Sequence, residues 1–318
     1  MIGFEKTYKL PFRFNIPNYI QNFLVDSSML KCRIKYVKRL LFLIIKGQKF
    51  LEINKVMPEH KRILWINISA PSLGDSLMDL SSRILLEDKT IDLFTNKKNA
   101  NLYKNDQTFN SIYTNKVDVE LFIYDLVIID SFSTRSIDIK SQIASKTNYV
   151  GMFGYFNGPE VNRVLYSFHR MNQLLGYFKS ENKINEIAKC SISISKSDEE
   201  LVRSLKLPSK YIAIAIGGEW KYRTYRNWIE VIKGLFQIDE DLTIVLVDSK
   251  NAEDSISKFL KLNSSLNIIN CVNQYTFNQT SEIIKRAKLL LCCDGGLMHS
   301  ANAVGTPTIS MFARLSPK

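Results

Sequence analysis

No stretch of the 318-residue sequence stays apolar long enough to cross a membrane. The nearest, LLFLII at residues 40–45, is bounded by Lys38, Arg39 and Lys46, whereas a spanning helix needs roughly 20 apolar residues. The N-terminus lacks a charged leader with an apolar stretch and a small-residue cleavage site, so nothing marks the chain for secretion and a cytoplasmic location is expected. Cysteine is scarce. Cys32, Cys190, Cys271, Cys292 and Cys293 show no paired metal-ligand spacing, and two of them are adjacent inside an apolar run, so they read as buried reduced thiols. Gly/Ser linkers, short repeats and low-complexity tracts are absent too. Acidic residues are in deficit: 31 Asp and Glu against 43 Lys and Arg leave a formal charge of +12. Such a balance favours an anionic partner, whether nucleic acid, a membrane surface or a phosphorylated substrate. With no zinc-finger spacing and no aromatic RNA-binding strand, nucleic acid is not expected.

What is present is material for a core. Hydrophobic residues make up 45 % of the chain, which at this length implies a globular protein of about two domains. Residues 31–50, KCRIKYVKRLLFLIIKGQKF, interleave Lys and Arg with apolar residues. Such a helix either rests on an anionic bilayer or packs on the first domain with its lysines in water. From Arg62 onward, short β-branched or apolar runs alternate with helical stretches, which predicts an α/β fold with parallel sheets. ILWINI (63–68), IDLFT (91–95) and LFIYDLVIID (121–130) read as strands of a first domain, with Trp65 in its core. YIAIAIGG (211–218), TIVLVD (243–248), NIINC (267–271), KLLLCCD (288–294) and PTISMF (307–312) read as strands of a second. The expected organisation is a basic N-terminal extension over 1–60, a domain over 61–190 and another over 191–318, with the boundary inside 180–208. Two doubly wound domains in series predict a cleft with ligands at the carboxyl ends of the strands.

The strongest local pattern is CCDGGLMHSANAVGTPTISMF (292–312). An apolar strand ends in Asp294, Gly295 and Gly296 follow, and a helix begins that carries His299 about one turn in. Glycines at such a turn let a phosphate approach the backbone, and the amides and dipole of the helix start favour the anion. Near the first strand, Asp75 reads on spacing alone as a helix cap.

These residues resemble a known family. The run DGGLMHSANAVGTPT (294–308) is similar to the D-[ST]-G-x-x-H-x-A-A-A-x-G-x-P-T pattern of the ADP-heptose:lipopolysaccharide heptosyltransferases, glycosyltransferase family nine, with Gly295 standing where the family usually has Ser or Thr. ILWINISAPSLGDSLMDLSSRIL (63–85) resembles the family's I-x-x-S-x-x-G-D opening, without its later proline and with a loop one residue longer; the resemblance implies that Gly74 forms the turn and Asp75 starts the next helix. IAIGGEWKYRTYRNWIEVI (214–232) resembles the segment that carries a diphosphate-binding Lys in a K-x-W setting; Arg223 and Arg226 both fit, and Lys221 is close by. VLVDSKNAEDSI (245–256) resembles the segment holding a nucleotide-sugar Glu, with Glu253 the nearest counterpart.

The resemblance, from about residue 62 to 317, implies the GT-B architecture: two Rossmann-like doubly wound domains facing a cleft, acceptor on the N-terminal side and ADP-sugar donor on the C-terminal side. It implies inverting transfer of a heptose from ADP-heptose to a lipopolysaccharide inner-core acceptor. Asp75 would be the base; Arg223 or Arg226 with the Gly295-Gly296 helix start would hold the diphosphate; Asp294, His299 and Glu253 would anchor the donor. No metal and no cofactor is expected, the cation and helix dipole serving in their place, and no D-x-D pair stands in a donor loop. Peripheral contact with an anionic membrane, at the inner face of the inner membrane, fits the basic surface. Two alternatives stay open. One is a same-fold transferase using another sugar nucleotide, or another glycan or protein acceptor. The other is a catalytically inactive relative that binds sugar nucleotide, which Gly295 and the end of the chain at Lys318, soon after the 307–312 strand, would suit. His60, His169 and Asp130 carry no motif, and GMFGYFNG (151–158) is read as a cleft loop.

Overall fold

Apolar runs too short for helices and rich in Ile, Val and Leu pair side by side into two separate parallel sheets. The computed structural model describes residues 29–153, 162–218, 223–253, 256, 259 and 266–312, and the chain divides after Lys189 into two units.

In the first unit the order is α1 (Met29–Ile45), β1 (Arg62–Asn67), α2 (Leu73–Asp79), β2 (Thr90–Thr95), α3 (Lys97–Tyr103), β3 (Phe109–Tyr113), β4 (Leu126–Ile129), α4 (Thr134–Ile143), β5 (Tyr149–Gly151), α5 (Arg163–Leu174) and α6 (Glu181–Ile187). The sheet runs β3-β2-β1-β4-β5, all parallel, with Ile63 opposite both Ile91 and Leu126. Ile63, Leu64, Trp65 and Ile66 are all buried, as expected of a central strand covered on both faces by helices. Tyr36 and Leu43 of α1 join Leu64, Ile66, Ile137 and Tyr149 in one core, so the 31–50 helix packs on this unit through one of its sides. The segment after it is tied down by Ile53 N–H donating to Tyr149 O and Val56 N–H to Leu174 O.

In the second unit the order is α7 (Lys196–Ser204), β6 (Ile212–Ala215), α8 (Trp228–Ile238), β7 (Ile244–Val247), β8 (Ile268–Asn270), α9 (Phe277–Arg286), β9 (Leu289–Cys293), α10 (Gly296–Val304) and β10 (Thr308–Met311). Its order, β10-β9-β6-β7-β8, is the same winding as the first, with β6 in the place of β1 and β9 in the place of β4. The period-2 alternation of a strand splits its core in two. Ala213 and Ala215 face one cluster with Val202, Ile283 and Ala301, while Ile214 and Ile216 face the other with Trp228, Ile232 and Phe236.

Helix starts follow the sequence closely. Ser72, Asn96, Ser133, Asn162, Ser180, Ser195 and Thr276 each accept a first-turn backbone N–H through the side chain, the usual capping arrangement. The α10 start differs, its cap being Gly295 with no side-chain bond.

The strand expected over 121–130 shrinks to β4. Leu121 and Phe122 are exposed and Phe122 takes φ 64°, a left-handed turn conformation that cannot continue a ladder. Strands β3 and β5 are additions, and both lie at sheet edges. Cys190, Cys271, Cys292 and Cys293 are buried, as expected. Burial pushes the Cys271 and Cys292 thiols up to about 11. No described helix is long and apolar enough to cross a membrane.

Candidate functional site

In a doubly wound sheet, crossovers leave the central strands in opposite directions and open a crevice at their carboxyl ends. In the first unit this lies between β1 and β4, and Asp130, just past β4, holds it together. Its buried carboxylate accepts from Ile68 N–H at 2.8 Å, Ser69 N–H at 2.6 Å, Ser131 N–H at 2.6 Å and the Ser136 hydroxyl at 2.6 Å. Four donors on one carboxylate offset its loss of water. The Ser69 hydroxyl lies 3.0–3.2 Å from those of Ser131, Ser133 and Ser136, so the crevice floor is lined with hydroxyls.

Asp75 stands at the β1 side of this crevice. It is not the cap of α2: Ser72 is, accepting Asp75 N–H at 3.2 Å and donating its own hydroxyl to Asp75 Oδ2 at 2.6 Å. Gly74 lies inside the helix rather than forming the turn before it. The other Asp75 oxygen accepts from Arg163 Nη1 at 3.1 Å, and the Asp75 side chain keeps 24 % of its surface exposed. Arg163, first residue of α5, also forks onto Asp79, donating through Nε and, at 2.9 Å, through Nη2. Its guanidinium lies 5.0 Å from the Phe153 ring centroid, and that ring stacks on Tyr166. Asp79 is buried and also accepts from the Asn67 amide at 3.3 Å. Burial pushes the Asp79 carboxyl up to about 7, with the Arg163 charge pulling the other way. The arrangement leaves one partly exposed carboxylate, Asp75, oriented by a hydroxyl and a fixed cation and able to accept a proton from a bound hydroxyl.

In the second unit the corresponding crevice lies between β6 and β9. Asp294 follows β9, Gly295 caps α10 and Gly296 is its first residue. The leading amides of a helix have no intrahelical acceptor, so this turn offers donors and a positive dipole end to an anion. His299 falls in the fourth position of α10, as expected. Arg223 Nη1 lies 3.4 Å from Asp294 Oδ2, with both side chains partly exposed. Arg223 is thus brought to the turn, whereas Arg226 is solvent-exposed and Lys221 lies outside the described residues. Glu253 is exposed beyond β7 and accepts from the Asn273 amide.

Three residues of this unit escaped the sequence reading. Asp248, at the end of β7, accepts from Gly217 N–H and Ser249 N–H at 2.7 Å each, and burial raises its carboxyl. A Cβ on Gly217 would lie 3.0 Å from Asp248 Oδ2, and one on Gly218 2.8 Å from the Arg223 carbonyl oxygen. The glycine pair therefore lets the chain fold back closely enough to present Arg223. Only the strand-then-Gly-Gly pattern hinted at this. Asp130, set aside for want of a motif, and Arg163 were missed in the first unit, since their partners lie 61–62 and 84–88 residues away. His60 and His169 have local structural bonds, to Met57 N–H and to Asn185. Of the 151–158 loop, residues 154–158 lie outside the described residues. Among the described residues no cluster of His, Cys, Asp and Glu could hold a metal ion.

Glycosyltransferase family 9 (heptosyltransferase) matches residues 158–318. Among solved structures, the chain is similar to a glycosyl transferase family 9 protein from Veillonella parvula, at 12 % identity and TM-score 0.64 over 83 % of this chain and 84 % of that one. It is also similar to the Escherichia coli ADP-heptose lps heptosyltransferase II, at 18 % identity and TM-score 0.60 over 78 % and 84 %. A third likeness is to E. coli heptosyltransferase WaaC with ADP-2-deoxy-2-fluoro heptose, at 15 % identity and TM-score 0.57 over 81 % and 90 %. No curated protein matches by sequence.

Proposed function

Because the chain belongs to glycosyltransferase family 9, with the two-sheet GT-B fold of its heptosyltransferases, we propose that it transfers a heptose from ADP-heptose to a lipopolysaccharide inner-core acceptor, with inversion. The observation that carries this reading is the α10 turn, where Asp294, Gly295, Gly296 and Arg223 converge inside the family-matched half of the chain. In the proposed step the acceptor oxygen bonds to the anomeric carbon as the bond from that carbon to the diphosphate breaks. ADP leaves, and Asp75 takes the acceptor's proton. Negative charge grows on the departing diphosphate, and a fixed Arg223 with the helix start stabilises it where it forms. On this reading neither a metal nor a cofactor is needed. Asp294 orients Arg223, His299 projects from the same helix toward the donor, and Glu253 and Arg226 act at its edge. Arg163 positions Asp75. The work is placed at the cytoplasmic face of the inner membrane, where such an acceptor is presented.

A second reading, a relative that binds the sugar nucleotide without turnover, is favoured by one observation: the cap of α10 is a glycine with no hydroxyl to offer phosphate. The deciding assay is nucleoside-diphosphate release from ADP-heptose with purified inner-core acceptor, native chain against Asp75→Ala. Release falling by roughly 10²- to 10⁴-fold in the variant supports both transfer and base. Binding of ADP without release by the native chain supports the second reading, and release with a different sugar nucleotide alone overturns the heptose assignment.

A further inference from the structure

Helix α1 has two apolar sides, and among the described residues only one of them joins the core. Tyr36 and Leu43 are buried in the core of the first unit, with Leu40 packed beside them. On the other side Ile34, Val37, Leu41, Ile44 and Ile45 are exposed by 46 %, 49 %, 53 %, 52 % and 78 %. At about 100° per residue these five fall within a single arc of roughly 100°, one continuous stripe along the helix. Phe50, just past the helix end, is 92 % exposed. Exposed Lys38 and Lys35 follow along one margin of the stripe. The helix sequence MLKCRIKYVKRLLFLII holds five basic residues and no acidic one. A single exposed leucine is ordinary, but a contiguous apolar stripe with a basic border is not.

We propose that this face of α1, together with Phe50, lies flat in the interface of an anionic lipid bilayer, the stripe at the acyl boundary and the lysines on lipid phosphates. Charge selects the occupant. A second copy of the chain would have to present this same patch to itself, setting one basic margin against another, whereas an anionic leaflet complements every charge on the helix. Length and composition select the pose, because the helix is too short and too basic to span and can only lie along the surface. The inference rests on the proposed function for its purpose, since a lipid-anchored acceptor is met at such a surface, but the binding needs neither donor nor acceptor.

The test is flotation of the full chain with phosphatidylcholine vesicles, with and without phosphatidylglycerol. Binding is expected only with phosphatidylglycerol and weakens as salt is raised. Leu41→Ser, Ile45→Ser and Phe50→Ser each lower the partition coefficient by about tenfold, the amount that withdrawing one large apolar side chain implies. All three positions face solvent, so the circular dichroism and melting temperature of the variants are expected to match the native chain, as is nucleoside-diphosphate release with a deacylated acceptor. If that release is absent while flotation stands, the proposed function fails and this inference survives. Flotation that ignores phosphatidylglycerol, or variants that float like the native chain, overturns it. So does a concentration-dependent self-association abolished by the same variants, which would give the face to a second copy. Amide protection of α1 that depends on residues 1–28 would give it to that segment and overturn it likewise.

Discussion

Replacing Gly295 by serine tests the α10 turn in two independent ways. Gly295 caps the helix at φ 178° and ψ −175°, extended backbone that any residue adopts. A Cβ there meets nothing closer than the Cys293 carbonyl oxygen at 3.9 Å, so Gly295→Ser enters without strain. Its hydroxyl supplies the side-chain acceptor that α10 lacks, and exchanging a glycine cap for serine is worth only a few tenths of a kcal/mol. Unfolding of the variant is therefore expected to shift up slightly or not at all. The larger effect lies in binding. A hydroxyl at the start of the helix can donate to a diphosphate oxygen, and a hydrogen bond to a charged group contributes about 1.5 kcal/mol or more, which is roughly tenfold in affinity. Titration calorimetry with ADP, set beside thermal unfolding without ligand, separates the two. A stability loss above about 1 kcal/mol would mean that the cap geometry is misread. Unchanged or weaker ADP binding at undiminished stability would mean that the diphosphate does not sit on this turn.

Two further expectations concern the first unit. Arg163→Met leaves the buried Asp79 carboxyl without its cation, so its already raised folded value climbs further above about 7. Because the folded value exceeds the unfolded one, stability falls as pH rises between them. The variant's deficit in urea unfolding is thus small near about pH 5.5, where both proteins keep the proton, and grows toward about pH 8.5 by about 1.4 kcal/mol per unit of added shift; a deficit independent of pH refutes the account. Lys140 is fully buried, its Nζ donating to Gln48 Oε1 and sitting 4.9 Å from the Tyr149 ring centroid. Burial pushes its ammonium down to about 7. Here the folded value is depressed below the unfolded one, so the native chain gains stability as pH rises from about 7 toward 10, by up to about 4 kcal/mol. Lys140→Met removes that slope and is the more stable protein near about pH 6 in the same measurement, and a native stability that stays flat over this range would count against the buried ammonium.

The sequence was legible where a signal is local. Runs such as ILWINI and KLLLCCD announce buried parallel strands, seven Ser, Thr or Asn caps mark helix starts, and Asp294, Gly295, Gly296 and His299 form one contiguous motif. Strand β3 was hidden because Asn110 and Ser111 interrupt its apolar pattern, and β5 because three residues carry no periodicity. Strand β4 was overdrawn because Leu121 and Phe122 look like core and are not. At the sites, what stayed unreadable was pairing across the chain. Nothing in the neighbourhood of Asp130 says that it will receive the amides of Ile68 and Ser69, and nothing beside Arg163 says that it will meet Asp75 and Asp79.

That pairing sorts the carboxylates by what they are free to do. Asp130 and Asp248 sit at or just beyond strand ends in their own units, and each spends its oxygens on backbone amides of the neighbouring crevice loop. Removing such an acceptor leaves the loop amides without their partner, so these two are anchors of the loops rather than reagents. Asp75 and Asp294 keep 24 % and 14 % of their side-chain surface exposed, and each faces one arginine, Arg163 and Arg223. A carboxylate held by a single cation in partly open surroundings is oriented without being saturated, which is the condition for taking a proton or turning a cation toward a ligand. Each unit thus has one carboxylate that builds its crevice loops and one that is left to use them, but the two pairs are not equivalent by position: in the winding Asp294, after β9, takes the place of Asp130, after β4, while Asp248 ends β7, the counterpart of β2. That division of labour, not a repeated position, explains why short motifs mark Asp75 and Asp294 but not Asp130 and Asp248: the residues left free carry local patterns, while the anchors are defined only by the loops they hold.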